Sequence, residues 1–123
     1  MDDKPTLGYI GLGLMGKPMA LNLLKGGYDV VVHNRSRQVV QELVGQGARE
    51  ATSPREVAAQ VEIIFTNLPD SPDVEKAALG PDGVMEGIRK GSVYVDMSTI
   101  APAVASKTAE AGEKKGAMVD MST

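Results

Sequence analysis

Three glycines, Gly11, Gly13 and Gly16, form G-x-G-x-x-G directly after the apolar stretch Thr6-Leu-Gly-Tyr-Ile10 and ahead of a helix-like stretch. A strand that turns sharply into a helix needs Gly11 for the turn, while Gly13 lets the backbone approach a pyrophosphate and Gly16 lets the helix pack closely on the strand. The start of that helix offers unpaired N–H groups and the positive end of its dipole to a diphosphate. The chemistry on offer is the holding of a dinucleotide by main-chain amides.

In a site for NAD, an acidic residue about 20 residues beyond the glycines accepts both ribose hydroxyls. That place holds Asn34, followed by Arg35, Ser36 and Arg37. Neutral donors and two guanidiniums suit a 2′-phosphate, and no carboxylate is there to repel it. NADP is expected over NAD, which should bind more weakly. As merely solvated residues, Arg35 and Arg37 would sit at the unfavourable end of a helix dipole, a cost that an anionic ligand relieves. His33 is the single histidine; next to the ribose position, it is read as structural, facing the sheet surface or an adenine edge.

Ligands of open α/β sheets bind beyond the carboxyl ends of the strands. Asn67-Leu-Pro-Asp70 and Met97-Ser-Thr-Ile100 should therefore line the nicotinamide half of the cleft. Leu68 and Pro69 would pack beside the nicotinamide ribose, and Ser98 and Thr99 would offer hydroxyls and N–H groups. The blander alternative has Pro69 ending a strand and Ser98 or Thr99 capping the next helix. Asp96 lies within or at the end of a predicted strand with no base or metal paired to it, so no catalytic residue is assigned. Lys17 and Lys25 read as solvated helix residues, and Met15 and Met19 as core filling.

The elements that must position these residues alternate. Short apolar runs mark strands at Thr6–Ile10, Asp29–His33, Glu62–Asn67, Ser92–Asp96 and Ala117–Met121, with a weaker one near Ala48–Ala51. Helix starts are marked by Ser53-Pro-Arg-Glu56, a capping box with proline at its first position, by Ser71-Pro72 and by Thr99-Ile-Ala-Pro102. Helices stop at glycines such as Gly26-Gly27, Gly80 and Gly116. Strand and helix repeated six times predict a doubly wound α/β Rossmann fold: three layers around a six-stranded parallel sheet of order 3-2-1-4-5-6. Val95-Asp-Met-Ser-Thr99 recurs as Val119-Asp-Met-Ser-Thr123, read as equivalent strand ends and as an engineered or truncated terminus over 117–123.

The 123 residues fit one domain, 1–123, able to bury a core without staples. The absence of cysteine excludes disulfides, thiol nucleophiles and thiolate metal sites. No metal site is expected. A net charge of −3 gives no reason to expect nucleic acid or membrane as a partner, and one Phe, three Tyr and no Trp provide few stacking platforms. The expectation is a cytoplasmic protein with a small-molecule ligand, monomeric or dimeric through an exposed edge strand.

Tyr9-Ile-Gly-Leu-Gly-Leu-Met-Gly-Lys-Pro-Met-Ala-Leu-Asn-Leu23 closely resembles the N-terminal signature of the β-hydroxyacid dehydrogenases. That family includes 3-hydroxyisobutyrate dehydrogenase, tartronate semialdehyde reductase and glyoxylate/succinic semialdehyde reductase. Leu68-Pro69, Gly80-Pro-Asp-Gly83 and Asp96-Met-Ser-Thr-Ile-Ala-Pro102 follow in the family's order, so the resemblance runs to about Gly116. It implies reversible hydride transfer between NAD(P)H and a small β-hydroxyacid or its semialdehyde. By resemblance, Gly11, Leu12, Gly13, Leu14 and Met15, together with Gly16, hold the diphosphate. Asn34, Arg35 and Ser36 read the ribose or its phosphate, Leu68, Pro69, Asp73 or Val74, and Thr99 contact the rest of the cofactor, and Ser98, Thr99 and Ile100 border the substrate. Asn34-Arg35 is closer to the NADPH-using reductases. The family's helical domain, with its catalytic lysine in a Lys-x-x-Asn context, has no counterpart here. The resemblance therefore implies a cofactor-binding domain that does not turn over alone, with two alternatives: a fragment of an active reductase that needs that domain, or a designed minimal scaffold.

Overall fold

The computed structural model describes residues 4–11, 16–68, 71–98 and 101–121. Six strands, β1 (Leu7–Ile10), β2 (Val30–His33), β3 (Arg49–Glu50), β4 (Ile63–Thr66), β5 (Val93–Asp96) and β6 (Met118–Met121), form one sheet. Its order is β3-β2-β1-β4-β5-β6, and every pair is parallel. The helices are α1 (Gly16–Lys25), α2 (Arg37–Val44), α3 (Pro54–Gln60), α4 (Ser71–Leu79), α5 (Val84–Gly87) and α6 (Pro102–Lys114). The fold is the expected Rossmann arrangement. The short α5 was not expected: four residues, Val84–Gly87, are too few to carry a helical period.

Strand side chains alternate between two cores, as the pleat requires. Leu7, Tyr9, Val30 and Val32 pack with Ala20 of α1 and with Val40 and Leu43 of α2. On the opposite face, Ile10, Val31, Ile64 and Tyr94 pack with Val57 and Ala58 of α3, Ala78 of α4, and Val84 and Met85 of α5. The central strand β1 is buried along its whole length, which is why its sequence reads as an unbroken apolar run.

The capping box at Ser53 forms only in part. Ser53 Oγ accepts from the Glu56 amide at 3.2 Å, which satisfies one orphan N–H of α3. The return bond differs: Glu56 Oε2 accepts the hydroxyl proton of Thr52. At α6 the N-cap is Ala101, so Ser98 does not stand at that position, and Thr99 lies outside the described residues. Lys17, expected to be solvated, pairs with Glu42 of α2.

The repeated pentapeptide does not occupy equivalent positions. In the β5–β6 register Asp96 lies opposite Met121, and Val95 opposite Asp120. The two copies are offset by one residue, which turns each side chain to the other face. Asp96 is buried and Asp120 is exposed.

Candidate functional site

The site forms where β1, β2 and β4 end side by side. Gly11 N donates to the His33 carbonyl at 3.1 Å, and Asn67 N donates to the Ile10 carbonyl at 3.0 Å, so the three strand ends share one ledge. Gly11 has φ +92°, and a Cβ there would lie 2.3 Å from the Asn67 carbonyl oxygen. Only glycine accepts both the left-handed backbone and that approach. A Cβ on Gly16 would lie 2.1 Å from the Gly11 carbonyl oxygen; its hydrogen is what lets α1 start against the turn. The first and third glycines of the motif thus do what their spacing predicts, and Gly13 lies outside the described residues together with Leu12, Leu14 and Met15.

Beyond this ledge opens a cleft of about 500 Å³. Ile10, Gly11 and Leu68 form its floor, and His33, Asn34, Arg35 and Arg37 form one wall. Thr52 and Pro54 at the start of α3, with Asp73, Lys76 and Ala77 of α4 and Pro81, form the other side. His33 Nδ1 lies 3.2 Å from the Ala51 carbonyl, so His33 is both anchored to the chain after β3 and part of the lining. Asn34 Nδ2 donates to the Ser36 carbonyl at 3.4 Å. Ser36 is the N-cap of α2 with no side-chain capping bond, and its side chain is exposed.

Two ion pairs organise the charged wall. Arg37 Nη1 lies 2.6 Å from Glu50 Oε2 of β3. Arg35 Nη2 reaches across to Asp73 Oδ1 of α4 at 3.5 Å, with the Arg35 side chain 85% exposed. So long and exposed a contact is worth at most a few tenths of a kcal/mol and breaks readily.

Between the two candidates on α4 the fold decides. Asp73 lines the cleft. Val74 is fully buried against Ala105 of α6, because successive helical residues point about a quarter-turn apart.

Ser98 is also placed differently from expectation. Its side chain is only 2% exposed, and its Oγ accepts from the Leu68 amide at 2.7 Å. It ties the loop after β5 to the loop after β4, rather than offering its hydroxyl outward. Beneath it runs a buried polar chain: Thr66 Oγ1 donates to Asp96 Oδ1 at 2.6 Å. Tyr94 is therefore the donor to Thr66 across 3.1 Å. Burial raises the Asp96 carboxyl above its ordinary range, opposed by hydrogen bonding from Thr66 and Ser98. Burial likewise raises the Tyr94 phenol. Pro69, Thr99 and Ile100 lie outside the described residues. No group of three or more acidic or histidine side chains among the described residues could hold a metal.

Sequence reasoning missed the far side of the cleft, namely Thr52, Pro54, Lys76, Ala77 and Pro81. Each stands in a segment with its own ordinary local explanation, such as a helix start or a helix surface, and only the folded molecule puts them in one cleft with Arg35. The residues present fit a dinucleotide: a backbone corner with no room for a Cβ, an apolar floor, and cations at the end where an adenosine phosphate would lie.

Residues 6–122 match the family described as the NAD binding domain of 6-phosphogluconate dehydrogenase. Over 116 residues the chain is 42% identical to 2-(hydroxymethyl)glutarate dehydrogenase of Eubacterium barkeri, covering 94% of this chain and 38% of that protein. Over 118 residues it is 40% identical to the mitochondrial 3-hydroxyisobutyrate dehydrogenase of Mus musculus, covering 96% of this chain and 35% of that one. Among solved structures, it superposes with a TM-score of 0.85 on Psf3 in complex with NADP+ and 2-OPP, at 34% identity, covering 93% of this chain and 40% of that chain. The chain thus spans little more than a third of the length of the relatives it matches.

Proposed function

The chain belongs to the family of NAD binding domains represented by that of 6-phosphogluconate dehydrogenase, and from that premise we propose that it binds NADP(H) in preference to NAD(H). Binding of a nicotinamide dinucleotide follows from the family; the preference rests on this chain's own residues. The single observation that carries it is the wall at the end of β2. Asn34 stands where a ribose-binding carboxylate would stand in an NAD site. Arg35 next to it lines the cleft and makes a loose pair with Asp73. An NAD-type carboxylate would repel a 2′-phosphate, whereas a guanidinium binds it through charge-assisted hydrogen bonds.

The activity proposed for a whole protein containing this domain is reversible hydride transfer between NADPH and a small β-hydroxyacid or its semialdehyde, of the glyoxylate or succinic semialdehyde reductase type. The residues described here bind and orient the dinucleotide. Leu68 forms the cleft floor on the side where the nicotinamide ribose would lie, and Thr99 and Ile100 would border the substrate. The general acid is not assigned to any lysine of this chain, because none matches the Lys-x-x-Asn context that the family resemblance implies.

Fluorescence titration with NADPH and NADH tests the preference. NADPH should bind more tightly, and Arg35→Ala should reduce the ratio roughly tenfold, as expected for one charged hydrogen-bonding partner. Arg35→Asp should reduce it further. Equal affinities in the unaltered chain would overturn the NADP reading.

A further inference from the structure

We infer that Lys76 of α4 is a second cationic ligand of the 2′-phosphate, closing on it from the wall opposite Arg35, so that α4 is a cofactor-specificity element. This rests on the NADP reading above.

Two of the basic side chains of the cleft already stand beside carboxylates. Three basic side chains line it, Arg35, Arg37 and Lys76, against one carboxylate, Asp73. Arg37 is drawn to Glu50 at 2.6 Å, and Arg35 to Asp73 at 3.5 Å. Lys76 makes no ion pair among the described residues. It is exposed, so its ammonium reaches a ligand without first breaking a contact.

Its place on the helix puts it near the right partner. Asp73 and Lys76 are three apart, hence neighbours on one helix face about 5–6 Å apart at Cβ, and Asp73 is the residue that touches Arg35. Arg35 and Lys76 therefore flank the same carboxylate from two elements. A phosphate dianion entering there exchanges the long Arg35–Asp73 contact for contacts with both cations. The two cations differ in kind: Arg35 presents a planar fork, while Lys76 is a point charge on a flexible stem that adapts to the phosphate from the far wall. NAD(H), with free ribose hydroxyls, gains little from Lys76, and this is what makes it a discriminating residue and not a general anchor.

Calorimetric titration of the 123-residue chain with NADP+ and with NAD+ tests the assignment on the unaltered protein, Lys76→Met and Lys76→Arg. Lys76→Met should weaken NADP+ about tenfold and NAD+ less than twofold, and should flatten the dependence of NADP+ affinity on salt. Lys76→Arg should keep the preference, and unchanged circular dichroism of both variants verifies that the fold is intact. If the unaltered chain prefers NADP+ and Lys76→Met keeps the full ratio and salt slope, the role of Lys76 is overturned while the NADP reading stands. If the unaltered chain shows no preference, both fall.

Discussion

At Asp96 the local sequence and the surroundings pull in opposite directions. A carboxylate at the end of a buried strand loses its hydration, and the hydroxyl of Thr66 and the neighbouring Ser98 return only part of it. The folded state therefore holds the Asp96 proton more tightly than the unfolded chain does. Above the unfolded carboxyl value, the unfolded state binds fewer protons than the folded one, so stability falls as pH rises and is lost through the raised folded value. Below the unfolded value the contribution is fully present. Asp96→Asn, which stays neutral, should remove this dependence. Urea midpoints at pH 4 and pH 7 check it: relative to the unaltered chain, the variant should fare better at pH 7 than at pH 4. An equal difference at both values would mean that Asp96 does not titrate in this way.

The first turn of α3 shows how much an element owes to one side chain. Pro54 removes one N–H that has no partner anyway, and Ser53 accepts from the Glu56 amide. The helix has only seven residues, too few to persist without packing and a cap. Ser53→Ala should cost about 1 kcal/mol, the usual worth of such a cap, and denaturant unfolding with an unchanged slope reads it. Because Thr52 and Pro54 line the cleft, a frayed α3 start should also weaken dinucleotide binding slightly. The offset repeat in β5 and β6 belongs to this scale as well. Identical pentapeptides suggest equivalent strands, yet register is set by pairing and by what each face must bury. Val119 packs on the face of α6, where a Cβ on Gly112 would lie 2.2 Å from it, and this choice turns Asp120 outward.

Across the whole molecule the two faces of the sheet are unequally covered. The helices α3 to α6 serve one face, whereas the core under α1 and α2 on the other is built on β1 and β2, with Ile63 and Phe65 of β4 only partly buried at its margin. Ile63, Phe65, Val93 and Val95 are only partly buried, and Met118 on β6 is 71% exposed. Among the described residues β6 pairs with β5 alone, leaving its outer backbone groups available to another strand. The two outcomes to be told apart are a monomer and a homodimer joined through this edge; in the second, Met118→Lys should shift the population toward monomer, because charge on an edge opposes pairing. Sedimentation velocity across a tenfold concentration range measures it; a monomer throughout would remove the edge as an interface. No helix among the described residues is long and apolar enough to cross a membrane.

What the amino-acid order determined by itself were the features whose causes are local. Apolar runs such as Val30-Val-Val32 had to be strands covered on both faces, Gly11 had to turn, Ser53 had to begin a helix, and six alternations left a single well-known sheet order. Each apolar run reaches one residue ahead of its strand, and those of β3 and β4 one residue beyond it as well, since a flanking residue such as Thr6 or Asn67 can stand outside the ladder without changing its type. Only the tertiary structure decided which residues meet. It put Asp73 in the cleft lining and Val74 in the core, turned the Ser98 hydroxyl toward Leu68, engaged Arg37 with Glu50, and brought Lys76 to the cleft of Arg35. Such choices depend on which loops and helix ends the sheet brings to one cleft and on where hydrogen-bond partners fall after packing. Those distances connect residues from 13 to 38 positions apart, as in Arg37–Glu50 and Arg35–Asp73, and no periodicity or spacing in the chain encodes them.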